Sequence, residues 1–284
     1  MNSAAIVGWS HYHQRLDDGA TPPDLGERQR ALLKERFRRI DRHTLLALLG
    51  SAECIRGELA PDCALYMSSA YGPLGSNIAV REELGGKQLM PMPFLFVNTL
   101  GSAAIYYVGK HLGLSRHCAF VARRRGAFTA ALWLALTDLA CGAASEALVG
   151  AVAECPPALA AHRAPLGLDP SESLAEGYDW LHLRRGEGAP RLSFARFDSF
   201  EELERHLNGV LAPGDALILG DDVPAELRSA SPRRFARTEL LSPEPIGHFH
   251  REASWLTSHL ARPSHRRLAI AGSHGASCIL LERG

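Results

Sequence analysis

Apolar residues along the chain fall into short blocks separated by turn-forming clusters, and the period inside the blocks alternates between that of a strand and that of a helix. Ala4–Trp9 is a short β-branched apolar run that predicts a buried strand. Arg28–Leu49 carries Leu32, Leu33, Phe37, Ile40, Leu45, Leu48 and Leu49 on roughly one stripe and predicts a helix. Asp62–Ala70 predicts a second strand, running into the turn Tyr71-Gly72-Pro73-Leu74-Gly75. A short helix over Asn77–Leu84 stops at Gly85-Gly86, and Pro91 and Pro93 mark a loop. Thr99–Leu112 predicts a helix, Cys118–Ala122 a strand, Gly126–Cys141 an apolar and alanine-rich buried helix, and Glu146–Ala153 a strand.

Composition shifts after Cys155, where Pro156, Pro157, Pro165, Gly167 and Pro170 mark a linker. Two parts follow, residues 1–155 and 156–284. The second part begins with Tyr178–Leu183 and Arg191–Phe197, read as a strand pair around Gly186-Glu187-Gly188. Ser199 is placed to cap a helix over Phe200–Val210, with Glu201 and Glu202 favourable in its first turn. Ala216–Leu219 predicts a strand, Phe249–Leu260 a helix, and Leu268–Ala271 and Cys278–Leu281 two strands around Gly272-Ser273-His274-Gly275. Alternating elements imply an α/β architecture with a largely parallel sheet, and the similar order of the two parts points to a pseudo-duplication.

Composition narrows the function classes. Of 284 residues, 46% are hydrophobic and 22% charged, enough apolar surface for a folded core. The 31 basic residues balance 31 acidic ones, without the basic excess of a nucleic-acid binder. The first nine residues lack a basic region and a long apolar core, so no signal peptide is expected. The longest apolar stretch, Gly126–Cys141, is too short to span a bilayer. A cytoplasmic protein without membrane contact is expected. None of the six cysteines forms C-x-x-C, and most sit in apolar runs, as reduced buried cysteines do. His250 and Glu252 give an H-x-E, but the P-C-x-x-C of a zinc deaminase does not follow, so no metal is expected.

The ordered series of elements carries a resemblance. Pro93-Phe94-Leu95-Phe96-Val97-Asn98-Thr99-Leu100, a helix ending at Gly113-Leu114, the strand Cys118–Ala122, Gly126 with its alanine-rich helix, and Gly150-Ala151-Val152-Ala153-Glu154 follow one another in this order. So do Glu176-Gly177, Ile246-Gly247-His248 and the strand pair Leu268–Leu281. The series resembles the β-ketoacyl synthase family. The resemblance implies a thiolase-like, pseudo-duplicated αβαβα fold with a shortened C-terminal half.

The departures from the family pattern bear on chemistry. The family's nucleophile is a cysteine at a helix N-terminus, where the dipole lowers the thiol pKa and backbone N–H groups hold the oxyanion. Aligning Ala122 and Gly126 with that elbow puts Arg123 at the nucleophile position and Arg124 and Arg125 after it. A guanidinium stays protonated and cannot attack a thioester. It is also disfavoured at a helix N-terminus, so Arg123 should turn to solvent or meet an anion. The strand Ala216–Leu219 ends in Gly220-Asp221-Asp222, with no histidine where the family has one. His248 keeps the third family position, but Pro243 replaces the lysine before it.

The resemblance therefore implies a chain-length-factor-type subunit, like the short ketosynthase-like subunits of aryl polyene pathways. Such a subunit forms a heterodimer with an active ketosynthase and needs no cofactor of its own. Acyl groups arrive on the phosphopantetheine of an acyl carrier protein. Met90, Met92, Phe94, Leu95 and Phe96 are the candidates for setting tunnel depth, and Cys118, Phe120 and Val121 for the dimer seam. An independent acyltransferase or thioesterase is the alternative, using His248 and a nucleophile such as Cys118 or Ser273.

Overall fold

The first strand is longer than its apolar run. In the structure, a computed structural model describing residues 2–16, 20–35, 37–155, 174–220, 222–241, 251–272 and 274–284, β1 spans Asn2–Leu16. Its polar second part is held by pairing with β5 (Leu174–Arg184), from Ser10 opposite Trp180 to Leu16 opposite Leu174. The single helix expected over Arg28–Leu49 is two helices, α1 (Gly26–Leu32) and α2 (Arg42–Cys54). Arg39 takes a left-handed φ of 62°, and the Asp41 carboxylate accepts the Thr44 N–H at 2.8 Å, which starts a new helix. β2 is Ala64–Ser69, and α3 (Leu74–Arg81) continues through a π-helical turn at Glu82–Gly86. The proline-marked loop contains a short helix, α4 (Pro93–Val97), because Pro93 occupies the first helical position, where no N–H is required.

α5 (Gly101–Leu112), β3 (Cys118–Ala122), α6 (Ala127–Cys141) and β4 (Glu146–Ala153) lie where the pattern puts them. In the second part, β6 (Arg191–Arg196) precedes α7 (Phe200–Val210), and the Ser199 hydroxyl accepts the Glu202 N–H at 3.2 Å as its cap. β7 (Ala216–Leu219), α8 (Ala225–Arg234), β8 (Glu239–Leu241), α9 (Arg251–Ala261), β9 (Arg267–Ala271) and β10 (Ser277–Glu282) complete the chain. α8 has little apolar periodicity and contains Pro232, so the sequence pattern does not announce it.

The ten described strands run in the order β3-β2-β4-β5-β1-β6-β10-β9-β7-β8. β2 is parallel to β3 and β4, β4 is antiparallel to β5, and β5 is antiparallel to β1. The second five strands repeat this: β7 is parallel to β8 and β9, β9 antiparallel to β10, and β10 antiparallel to β6. Within each repeat the order is third, second, fourth, fifth, first. The two first strands, β1 and β6, join the repeats antiparallel. β5 and β6 therefore do not form the hairpin expected around Gly186-Glu187-Gly188; β1 lies between them and pairs with both. By strand order the first repeat closes with β5 at Arg184, so the Pro/Gly-rich stretch after Cys155 connects two strands of one repeat.

The strand faces alternate and bury three clusters. α2 and α5 cover Leu65, Met67, Leu148, Tyr178 and Trp180 on the outer face of the first repeat. α6 and α9 fill the middle layer, where Phe128, Leu132, Leu136, Leu256 and Leu260 meet Tyr66 and Val149 on one side and Ile218 and Ile270 on the other. Leu203 and Leu207 of α7, with Phe235, cover Leu217, Ala269 and Leu280 on the outer face of the second repeat. The result is a five-layer αβαβα arrangement with α6 buried between the sheet halves. Trp133 and Leu134, on one flank of α6, remain exposed.

Candidate functional site

Parallel strands deliver their C-terminal ends to one side of the sheet, and three turns meet there. One joins β3 to α6, one follows β7, and one joins β9 to β10. The Gly220 N–H donates to Ala271 O at 2.6 Å and the Asp222 N–H to Gly272 O at 2.9 Å. The Asp222 carboxylate accepts the Gly275 N–H at 2.9 Å. From the first turn, Arg123 Nη1 donates to His274 Nε2 at 2.9 Å, and the Arg123 N–H donates to Ser69 O at 3.1 Å. The structure thus brings together the position aligned with the family nucleophile, the end of the strand that carries the family's histidine turn, and the C-terminal glycine turn. His248 and Ser273 lie outside the described residues.

Gly126 caps α6 with a left-handed φ of 64°, a conformation that a side chain there would strain. No side chain caps the helix and no acidic residue lies in its first turn. Arg123, Arg124 and Arg125 are all exposed just before it. Arg123 thus faces solvent, as expected, and also meets a neutral acceptor, the imidazole of His274. Burial, then the neighbouring charges of Arg123 and Arg196, hold the His274 pKa below that of a free imidazole, against the opposing pull of Asp222. The ring nitrogen facing Arg123 is therefore free to accept.

The thiols are not poised to replace a nucleophile. Cys118 begins β3, four residues from the turn, roughly 13 Å away along a strand. Burial pushes its thiol pKa up. Burial also holds Cys63 and Cys278 at about 12 and raises Cys54 further. A serine, histidine and aspartate do meet elsewhere, where β1, β5 and α9 pack. His13 Nε2 lies 2.9 Å from both Asp179 oxygens, and the Ser254 and Thr257 hydroxyls donate to Asp179 at 2.9 and 2.6 Å. Ser254 Oγ approaches the same ring nitrogen at 3.3 Å. A proton relay needs the aspartate on one imidazole nitrogen and the serine on the other. Here both converge on Nε2, and the cluster ties α9 to the first repeat.

Behind the β3–α6 turn lies a second buried polar group. Glu154 ends β4 in the Gly150–Glu154 motif, and its Oε1 accepts the Gly75 N–H at 2.6 Å. Burial, reinforced by the nearby carboxylates of Asp41 and Glu176, raises its pKa to about 8. Asp41 is occupied by Thr44 and by Ser76 Oγ at 3.1 Å, and Glu176 pairs with Arg42. The loop from Gly72 to Gly75 is thus fastened by a protonated carboxyl.

The residues expected to wall a tunnel do not enclose one within this chain. Met90 is 88% exposed, Met92 65%, Phe94 46% and Phe96 56%, while Leu95 is half-buried. These residues follow the π-helical turn at Glu82–Gly86, in a stretch with few buried side chains: α4 has none. Arg39 stacks on Phe94, its guanidinium 4.6 Å from the ring centre. Leu84, Leu89, Val97, Leu100 and Tyr106 in the same stretch are exposed too.

β3, the strand expected at a dimer seam, is the outermost strand of the first repeat and, among the described residues, pairs with β2 alone. Of the three candidate seam residues, Cys118 is exposed and Phe120 and Val121 are half-buried. Phe120 turns inward: its ring meets His43 edge-on at 6.2 Å and lies so close to Gly101 that a Cβ there would overlap it. Val121 packs against the middle layer. Sequence reasoning missed His274, because its turn read only as glycines, and His43, because nothing in a helical stripe marks a histidine whose two ring nitrogens are buried without a hydrogen-bond partner.

No protein-family model and no curated protein matches the chain. Solved structures do. The ishigamide ketosynthase/chain length factor matches at 17% identity over 99% of both chains, with a TM-score of 0.70. A type II polyketide ketosynthase bound to a hexaketide, in complex with its acyl-carrier protein, matches at 14% identity over 100% of this chain and 99% of the other, with a TM-score of 0.71. A ketosynthase in complex with its chain length factor from Xenorhabdus doucetiae matches at 14% identity over 99% of both chains, with a TM-score of 0.58. The chain has the thiolase-like ketosynthase fold. Among the described residues, no helix is long and apolar enough to cross a membrane.

Proposed function

We propose that the chain is a chain-length-factor-type subunit, without condensing activity of its own. It forms a heterodimer with an active β-ketoacyl-carrier-protein synthase in polyketide or fatty-acid-like biosynthesis of the aryl polyene type. One observation carries this reading: at the elbow of a ketosynthase fold stands Arg123, donating to His274. On the alignment of Ala122 and Gly126 with the family's elbow, this pair would stand where a thiolate attacks, and a guanidinium holds its protons at any physiological pH. Acyl groups would stay on the phosphopantetheine of the carrier protein and on the partner's cysteine.

Two surface features support the pairing. Among the described residues, the outer edge of β3 leaves backbone N–H and C=O groups without a neighbouring strand, and such an edge is commonly covered by another chain. The 84–106 stretch exposes Met90, Met92, Phe94 and Phe96, and a run of exposed apolar side chains commonly marks an interaction surface. Laid against a synthase, these side chains would supply one wall of the partner's acyl tunnel and limit product length. The test is a reconstituted condensation assay with a ketosynthase encoded beside this chain and its carrier protein. The proposal expects product only when both subunits are present, and unchanged turnover with Arg123→Ala. Product from this chain alone, or full product from the synthase alone, would overturn it.

A further inference from the structure

A groove of about 430 Å³ opens on the far flank of α6, between that helix, the end of β6 and the start of α7. It shares no residue with β3 or with the exposed 84–106 stretch. Its size falls in the range of small-molecule sites, roughly 300–1,000 Å³. Trp133, one of the exposed aromatics of the middle layer, lines it together with Phe197 and the buried Phe194. Arg196 lies over the Trp133 ring with its guanidinium carbon 5.6 Å from the ring centre. Among the described residues Arg196 has no carboxylate partner, and no acidic side chain lines the groove.

A guanidinium laid on an indole is fixed in orientation while its N–H edge stays free. That edge matches the two oxygens of a carboxylate. The opposite side of the groove carries His206, whose ring stacks on Phe197 at 4.9 Å and whose Nε2 is buried without a hydrogen-bond partner. A buried polar atom left unpaired is costly, and a ligand group at this place would relieve it. Burial, then the positive charge of the chain's N-terminus, lowers the His206 pKa, so the ring is neutral near pH 7. A guanidinium held on an aromatic face, an apolar lining and one unpaired neutral polar atom suit a flat anionic ligand.

We propose that this groove binds a planar aromatic carboxylate, its ring between Trp133 and Phe197, its carboxylate on Arg196 and its far edge toward His206. The site is independent of the heterodimer reading and stands or falls without it. The test is calorimetric titration of the full chain with 2-naphthoate. Two controls each remove one feature: 2-naphthalenemethanol lacks the charge and cyclohexanecarboxylate lacks the aromatic face. Saturable one-to-one binding of 2-naphthoate is expected, with both controls at least tenfold weaker. Arg196→Gln and Trp133→Leu should each weaken 2-naphthoate at least tenfold. Both side chains are exposed, so circular dichroism should show the fold intact. Met92→Ala should bind like the parent. Absence of saturable binding at millimolar 2-naphthoate, or equal binding by the alcohol, would overturn the proposal. So would full affinity in both groove variants.

Discussion

Replacing Glu154 by Gln tests whether a protonated carboxyl fastens the loop beneath the β3 edge. Glu154 is 6% exposed and takes up its proton near pH 8 in the folded chain, against 4.5 when unfolded. The folded state therefore holds the proton more tightly than the unfolded state. Its contribution to stability is full below pH 4.5 and is lost as pH rises toward 8. At about 1.36 kcal/mol per pH unit, the loss between pH 5 and pH 7 is about 2–3 kcal/mol. Glutamine keeps an oxygen for the Gly75 N–H, and its amide can donate toward the Asp41 carboxylate, so the variant should fold. Other carboxyls whose pKa values are lowered, such as Glu146, pull the total pH dependence the opposite way, so the difference between parent and variant is the quantity to read. Urea titrations at pH 5, 6, 7 and 8 should show the variant gaining on the parent by about 2–3 kcal/mol from pH 5 to pH 7. A constant difference across that range would refute the protonated state of Glu154.

Three further outcomes are expected. Incubation with acyl-carrier-protein or acyl-CoA donors should leave every cysteine unmodified in intact-protein mass spectrometry, since Cys118 lies at the wrong end of β3 and its thiol pKa is raised; a stoichiometric thioester would overturn the pseudoenzyme reading. Gly101→Ala should cost about 1–3 kcal/mol by overpacking against Phe120. It should also speed hydrogen exchange along 118–122, which unchanged exchange there would contradict. Met92→Ala and Phe94→Ala, being exposed, should keep the melting temperature and shift the partnered synthase toward longer products; an unchanged product distribution in both, with the complex intact, would make them surface residues without a tunnel role.

Much of the fold was legible because its strands are nearly all apolar and its turns are marked by Gly and Pro. β3, β4, β7 and α7 lie within a residue of their predicted bounds. The failures have physical reasons. Pairing extended β1 into a polar stretch, which a hydrophobic pattern cannot foresee. Asp41 began a new helix inside the expected apolar stripe, after the first had ended at Leu32. β1 displaced the expected β5–β6 pairing, a non-local effect that local turn chemistry does not carry. At the site, Arg123 stood out in sequence through the resemblance, whereas its partner His274 stands 151 positions away and is joined to it only by the three converging turns. The exposure of Met90, Met92, Phe94 and Phe96 was hidden, because an exposed apolar residue looks in sequence like one in a core.

The central claim is that this chain completes itself on a ketosynthase. Light scattering coupled to size exclusion tests it directly, on the chain alone and after co-expression with a ketosynthase encoded beside it. The account predicts self-association or poor recovery for the chain alone. With its partner it predicts one soluble species with the summed mass of one copy of each subunit. A well-behaved monomer that leaves the synthase unbound would contradict it.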